Sequence, residues 1–126
     1  MERTASRERV RAFRAAIGMA LDEPGVPLTF FCPDPIIAAE RIGLPRPSPY
    51  PHTIDGGTEW LPRRPLSEGE TVRLTGRVSG MTAKQGSERT GAMLFTELEI
   101  TARDQDGEIV GVARSTSVSY QGANDA

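Results

Sequence analysis

The chain has 126 residues, a net charge of −2 at pH 7 and one cysteine, and these values exclude several classes of protein. The length suits one domain rather than two. A pI of about 5.4, with no basic run longer than Arg63-Arg64, argues against a nucleic-acid partner. One cysteine can form neither an internal disulfide nor a cysteine-rich zinc site, so no metal is expected.

The first residues and the hydropathy pattern bear on location. Residues 1–9 are mostly charged or polar, so we expect no signal peptide. No apolar run approaches the roughly 20 residues that cross a bilayer, so no membrane partner is expected. Without a disulfide framework the chain fits a reducing interior, and we expect a cytoplasmic protein.

The first predicted element is a helix over residues 6 to about 20. Ser6 is the expected N-cap, and Glu8 suits the positive end of the helix dipole. Apolar residues recur at spacings of three and four, namely Val10, Phe13, Ile17 and Ala20. The arginines at positions 7, 9, 11 and 14 fall mostly elsewhere around the helix, and we expect them to be solvated.

A second, shorter helix is predicted after a proline-containing connection over residues 22–33. Asp34 is the expected N-cap, Pro35 takes the first helical position, and Gly43 ends the helix. The body of this helix is apolar on nearly every side over residues 36–39. We therefore expect it to be buried.

The remainder of the chain is predicted to form strands. A stiff loop over residues 45–57 has four alternating prolines and ends in Gly56-Gly57, which permits a sharp turn or a close backbone approach. Asp106-Gly107 marks a hairpin turn. The expected strands cover residues 58–65, 71–81, 91–103 and 108–120. They are expected to form an antiparallel meander whose apolar face covers the second helix, giving a single α+β domain over residues 1–126 with an ordered core of about 6–120.

The order and spacing of several segments resemble MaoC-like dehydratase N-terminal domains. The matching segments are residues 6–18, 55–60, 64–66, 69–70, 84–91, 93–95, 106–108 and 113–116. Glu70 stands where the family usually has Asp. The resemblance implies the hot-dog fold, an antiparallel sheet wrapped around a central helix. It also implies acyl-CoA thioester substrates and a homodimer or heterodimer with a second hot-dog subunit, without a cofactor.

The catalytic pair of that family is not apparent in this chain. Catalytic members carry Asp and His close together on one loop, in a pattern like Gly-Asp-x-Asn-Pro-x-His. The matching place here is residues 18–24, where no histidine follows Asp22. Asp22 and Glu23 are either a vestigial base or ordinary loop carboxylates. The chain therefore resembles the non-catalytic half of two-part (R)-specific enoyl-CoA hydratases.

The single histidine has two interpretations. His52 and Asp55 could form a substitute acid–base pair near the thioester. Alternatively, His52 holds the proline-rich loop through a hydrogen bond. These two residues are the weak catalytic candidates.

Other residues are candidates for substrate binding. Lys84 and Arg89 flank a predicted hairpin loop and could hold the phosphates of coenzyme A, or could simply be solvated. Gly56 and Gly57 would allow close approach of a ligand. Cys32 is expected to be a buried, inert thiol rather than an activated one.

Three functions remain open from the sequence. The first is a hydratase or dehydratase subunit that works with a catalytic partner. The second is a hot-dog thioesterase, with Asp34 or Glu40 as its carboxylate, although Asp34 is the expected N-cap and Glu40 is expected to face solvent. The third is a non-enzymatic acyl-thioester-binding protein. Trp60 is expected to anchor an interface or the core.

Overall fold

The computed structural model describes residues 1–16 and 26–123. These residues contain five strands, two α-helices and a 3-10 turn at Leu28–Phe31. The helices are α1, Arg7–Ala16, and α2, Pro35–Ile42. The strands are β1, Glu2–Thr4; β2, His52–Pro62; β3, Thr71–Gln85; β4, Ala92–Arg103; and β5, Ile109–Tyr120.

The strands form one antiparallel sheet in the order β1-β3-β4-β5-β2. Helix α2 lies against β3, β4 and β5 on one face, which we call the inner face. The core between them contains Phe30, Phe31, Leu74, Leu98 and Ile100, each at most 1% exposed. An antiparallel sheet packed around one helix is the hot-dog architecture, so the expected α+β hot-dog fold is confirmed.

Helix α2 forms and ends where the sequence predicts. The Asp34 carboxylate accepts hydrogen bonds from the backbone N–H groups of Ile36 (3.1 Å) and Ile37 (3.2 Å). Gly43 ends the helix in the left-handed conformation at φ +87°. The helix is not fully buried, however: Ala38 and Ala39 are buried, but Ile37 is 45% exposed. One flank of α2 therefore faces outward with an apolar side chain.

Helix α1 is described only as far as Ala16, so Ile17 and Ala20 lie outside the described residues. Within the described part, Val10 is buried and Phe13 packs edge-to-face on Phe30, with 5.5 Å between ring centroids. Arg14 is only 6% exposed, so the expectation that all four arginines are solvated is wrong there.

The expected meander is wrong, because β2 crosses the sheet and pairs with β5 instead of β3. The first residues of β3 pair instead with β1, which lies before residue 6, where the ordered core was expected to begin. The turn before β3 also bonds to this strand's end: Gly69 N–H donates to the Ala5 carbonyl (2.7 Å), and Ala5 N–H donates to the Glu70 carbonyl (2.8 Å). Alternation predicts strands but not which strands pair.

Strand β2 begins at His52, six residues before the expected start at Thr58. The stretch interpreted as the end of a loop is therefore strand, interrupted by a bulge between Asp55 and Gly57. Pro62 ends this strand at the edge of the sheet, where a missing N–H does not break a ladder. This earlier start decides which way the candidate side chains point.

Candidate functional site

A cavity of about 280 Å³ lies between the start of α2 and the edge strand β2. Asp34 and Ile36 line it from the helix side, and Arg46 lines it from the proline-rich loop. Asp55 of β2 and Ser117 of β5 line it from the sheet. Two carboxylates, a guanidinium and a hydroxyl thus meet beside an open edge of the sheet.

A stripe of hydroxyl side chains continues from this cavity along the inner face. Alternate residues of β5, namely Ser115, Ser117 and Ser119, are at most 4% exposed, and Thr96 of β4 pairs with Ser117 and is fully buried. The stripe begins at the pair of Ser115 with Leu98, and the next pair on this face, Ala113 with Ile100, is apolar. The inner face is therefore apolar under α2 and polar beyond it.

Two members of the hydroxyl stripe, Ser115 and Ser119, have hydrogen-bond partners. The Ser119 hydroxyl accepts from the Tyr50 N–H (3.1 Å), and Ser115 lies 3.3 Å from the Thr58 hydroxyl. The Thr96 hydroxyl makes no hydrogen bond within the part of the chain that the structure describes. An unpartnered buried hydroxyl costs roughly 1–3 kcal/mol, so an apolar side chain of the same shape should be tolerated at position 96.

Asp55 points to the inner face at the bulge of β2. One of its carboxylate oxygens accepts a hydrogen bond from the Gly57 N–H (2.9 Å), which closes a tight turn around Gly56. Gly56 is pressed against β5: an added Cβ would lie 2.8 Å from Cγ2 of Val118. The predicted close backbone approach at Gly56 is thus an approach to the sheet itself.

His52 lies on the opposite, outer face. Its ring stacks on Tyr120, with 5.0 Å between centroids and 25° between planes. Residues 52 and 55 alternate to opposite faces of β2, so the structure does not bring His52 and Asp55 together. The side chain of His52 is held by ring stacking, and no hydrogen bond of it to the proline-rich loop is present among the described residues.

Lys84 and Arg89 lie near the hairpin that joins β3 to β4. The Lys84 ammonium sits 4.9 Å from the centre of the Phe95 ring on the outer face, and Arg89 is exposed in the turn. Lys84 is separated from Gly56 and Gly57 by β4 and β5, roughly 14 Å at ordinary strand spacing. The four predicted substrate-binding residues therefore do not form one cluster.

The remaining candidates are placed as follows. Asp22 and Glu23 lie outside the described residues. Glu40 is exposed, with 3.6 Å between its carboxylate and the Arg46 guanidinium. Burial raises the pKa of the Cys32 thiol to about 12, which matches the expected inert thiol. Trp60 is 37% exposed on the inner face, and its indole N–H donates to the Cys32 carbonyl (2.7 Å).

Two findings concern metal and membrane. Over residues 1–16 and 26–123, no three His, Cys, Asp or Glu side chains are grouped as metal ligands. In the same residues, no helix has the length and apolar character needed to span a bilayer.

Comparison with known proteins identifies the family. A family model described as the FAS1-like, dehydratase domain region matches residues 2–112. The chain belongs to this family. The expected relation to MaoC-like dehydratases is therefore confirmed. No curated protein matches the chain.

Solved structures show the same fold for this FAS1-like dehydratase-region chain. The ChsH1-ChsH2 complex from Mycobacterium tuberculosis aligns with a TM-score of 0.68 and 17% identity, over 99% of this chain and 85% of that chain. The C-terminally truncated HadBC (3R-hydroxyacyl-ACP dehydratase) complex from the same organism gives 0.65 and 16%, over 94% and 90%. A MaoC-like dehydratase from Rhodospirillum rubrum gives 0.57 and 14%, over 98% and 90%.

The sequence reasoning missed the hydroxyl stripe and Arg46 in this dehydratase-region chain. The signal for the stripe was available: serines at every second position of a predicted strand, 115, 117 and 119, share one face. Their meaning depends on which face points inward, which follows only from the packing of α2. Arg46 gave no signal, because its position depends on the path of the proline-rich loop.

Proposed function

We propose that this chain is the non-catalytic subunit of a two-part hydratase or dehydratase acting on enoyl- or 3-hydroxyacyl-CoA thioesters. The observation that carries the proposal is the position of the single histidine. His52 faces outward against Tyr120, while the cavity, Asp55 and the hydroxyl stripe face inward. The inner face thus has carboxylates but no imidazole to work with them.

The chemistry of hydration makes this arrangement insufficient alone. One group must take a proton from water and another must protonate the α-carbon, while a donor stabilises the charge on the thioester oxygen. We infer that the catalytic partner supplies the Asp and His. This chain then supplies a wall of the substrate site through Ser117, which lines the cavity beside β2. We expect the assembled enzyme to work in the cytoplasm.

The exposed edge strand supports the partner requirement. All eleven residues of β2 are exposed or half-buried, and the strand pairs on one side only, with β5. Ile54 is 52% exposed, and Leu61 is 38% exposed. A long exposed edge strand with apolar side chains near both ends can pair with another chain, and a second hot-dog subunit is the occupant we propose.

The test is turnover with and without a partner. The purified chain alone should not hydrate crotonyl-CoA or a longer enoyl-CoA above the uncatalysed rate. Adding a hot-dog subunit that carries the Asp/His motif, encoded beside this chain, should restore turnover, and His52→Ala should leave kcat of the complex unchanged. Turnover by the chain alone that His52→Ala abolishes would overturn the proposal.

Thr96 offers a second test, which separates a binding role from a structural one. Thr96→Val removes a buried hydroxyl without a partner, so the free energy of unfolding should stay equal or rise by up to about 1 kcal/mol. In the assembled enzyme we expect KM for the thioester to stay unchanged in this variant, because Thr96 is fully enclosed, whereas Ser117→Ala at the cavity should raise KM. Ser115→Ala is the control, since its hydroxyl has a partner and its loss should cost about 1 kcal/mol. Destabilisation by Thr96→Val would show a structural hydroxyl instead.

A thioesterase is the second candidate, because Asp34 and Asp55 line one cavity. Against it, Asp34 already accepts two backbone N–H groups as the helix cap. Release of free CoA by the chain, lost in Asp34→Asn or Asp55→Asn, would favour this function. Thioester binding without turnover, in the presence of a catalytic hot-dog partner, would favour a non-enzymatic binding protein.

A further inference from the structure

A second cavity, which shares only Asp34 with the one beside β2, lies on the other flank of α2. It has a volume of about 200 Å³ and is bounded by β1, β3 and the helix. Its floor is apolar and well packed, with Cys32 and Leu74 each 1% exposed and Ala38 4% exposed. The half-exposed Ile37 stands at its mouth. The volume is below the 300–1,000 Å³ of drug-sized sites, so a ligand here would be small.

The cavity carries positive charge at its rim. Arg3 and Arg41 line it. The Arg3 Nε donates to the Phe30 carbonyl (2.6 Å), and its guanidinium lies 4.1 Å from the centre of the Phe30 ring. These two contacts fix the guanidinium of Arg3 at the cavity, so a ligand would not have to order it.

The positive charges at this rim lack carboxylate partners. Within the described chain, neither Arg3 nor Arg41 has a carboxylate oxygen within 4.0 Å. Burial, and then repulsion by the guanidinium groups of Arg9 and Arg41, lower the pKa of Arg3. Such a cluster of like charges is stabilised when an anion joins it.

The other polar groups of the cavity do not neutralise it. Cys32 is a neutral thiol at physiological pH, since its pKa is about 12. Asp34 carries one negative charge, but its Oδ1 is directed to the N–H groups of Ile36 and Ile37. Two guanidinium groups, set against one carboxylate whose Oδ1 is already engaged, leave an excess of positive charge beside an apolar floor.

We propose that this groove, the cavity of Arg3, Ile37 and Arg41, binds a small anion that bears an apolar chain, of the class of a short-chain carboxylate. The head group would meet the guanidinium groups, and the chain would lie on Leu74 and Ala38 beneath Ile37. An alkyl phosphate shares this chemistry, and the choice of probes separates the two. The site goes beyond the proposed function, because it lies on the flank of α2 away from β2.

The test is the binding of hexanoate to the purified chain, measured by changes in amide chemical shifts and by calorimetry. Hexanoate should perturb the amides of Ile37, Ala38 and Arg41 and should bind more tightly than acetate, which lacks the chain, or hexanol, which lacks the charge. Hexyl phosphate distinguishes the head groups: tighter binding than hexanoate would assign the site to a phosphate ester and overturn the carboxylate class.

Substitutions in and near the cavity test whether hexanoate binds at this site. Arg41→Gln should weaken hexanoate by about tenfold, the loss expected for one charge-assisted hydrogen bond. Arg46→Gln is the matched control, an arginine on the other flank of α2, and should leave the affinity unchanged. Ile37→Ser should weaken hexanoate but not acetate. Equal binding of hexanol, no effect of Arg41→Gln, or shifts confined to Asp55 and Ser117 would overturn the proposal. None of these results depends on turnover with a catalytic partner.

Discussion

The two edges of the sheet are finished in different ways. Strand β2 exposes apolar side chains near both of its ends, at Ile54 and at Trp60-Leu61, with carboxylates between them. Beyond the short cover of β1, strand β3 exposes Met81 and cations such as Arg77 and Lys84. Both strands carry a bulge, near Gly56 in β2 and near Gly80 in β3. Charges and bulges keep an exposed edge from pairing with other chains. Because both edges carry a bulge, the difference between them lies in their side chains, and it agrees with the proposal that a partner pairs along β2.

The largest difference between the two edges should appear when one methyl group is added at each bulge. At Gly56 a Cβ meets the stiff, buried Val118 at 2.8 Å, so Gly56→Ala should cost about 1–3 kcal/mol in the free energy of unfolding. At Gly80 the contact at the same distance is the free end of the Glu97 carboxylate, which can move. Urea unfolding should therefore show a much smaller loss for Gly80→Ala. Equal losses would mean that the two bulges are equally rigid.

A charge on each edge sharpens the contrast in assembly. Ile54 in β2 and Met81 in β3 are both 52% exposed, so they are matched in accessibility. Ile54→Lys should weaken association with a hot-dog partner by about tenfold or more, because a buried unpaired charge is costly at an interface. Met81→Lys should have no effect. Sedimentation of the wild-type and variant complexes measures the difference, and a larger effect at Met81 would assign the interface to the other edge.

The start of α2 and the start of β2 show how far sequence reasoning reaches. The helix is specified by neighbours in the chain, Asp34 at one end and Gly43 at the other, so its bounds followed from the sequence. The position of β2 depends on its distant pairing with β5. The hydrogen bonds of that pairing extend the strand back to His52 and turn His52 away from Asp55. Residue types alone therefore indicated a missing catalytic pair, but not the face on which each side chain lies.

Acid should weaken the ion pairs that join neighbouring strands and the turns at their ends. Of the three predicted effects on stability and assembly, this one should be the smallest. Hydrogen bonds from Arg64 lower the pKa of Glu70 and of Asp104, and hydrogen bonds from Arg114 and Arg77 lower the pKa of Glu99. The unfolded chain binds protons first as pH falls, so this stability is complete above about pH 5 and is lost as pH falls through the lower folded values.

These links are partly exposed, so Glu70 should contribute about 1 kcal/mol or less. The midpoint of urea unfolding should fall between pH 5 and pH 3, and the fall should be smaller in Arg64→Gln. Arg46→Gln is again a suitable control, since its contact with Glu40 is long and exposed. A midpoint that rises on acidification would contradict the expected sign.

Trp60 gives the β2 edge a spectroscopic signal of its own. It is the single tryptophan of the chain, partly open to water and tied through its indole N–H to the carbonyl that precedes α2. Iodide quenching of its emission should therefore decrease when a second subunit covers β2. The emission maximum of Trp60 should shift to a shorter wavelength as water is excluded from around the indole. Occupancy of the edge can thus be followed in solution without any attached label.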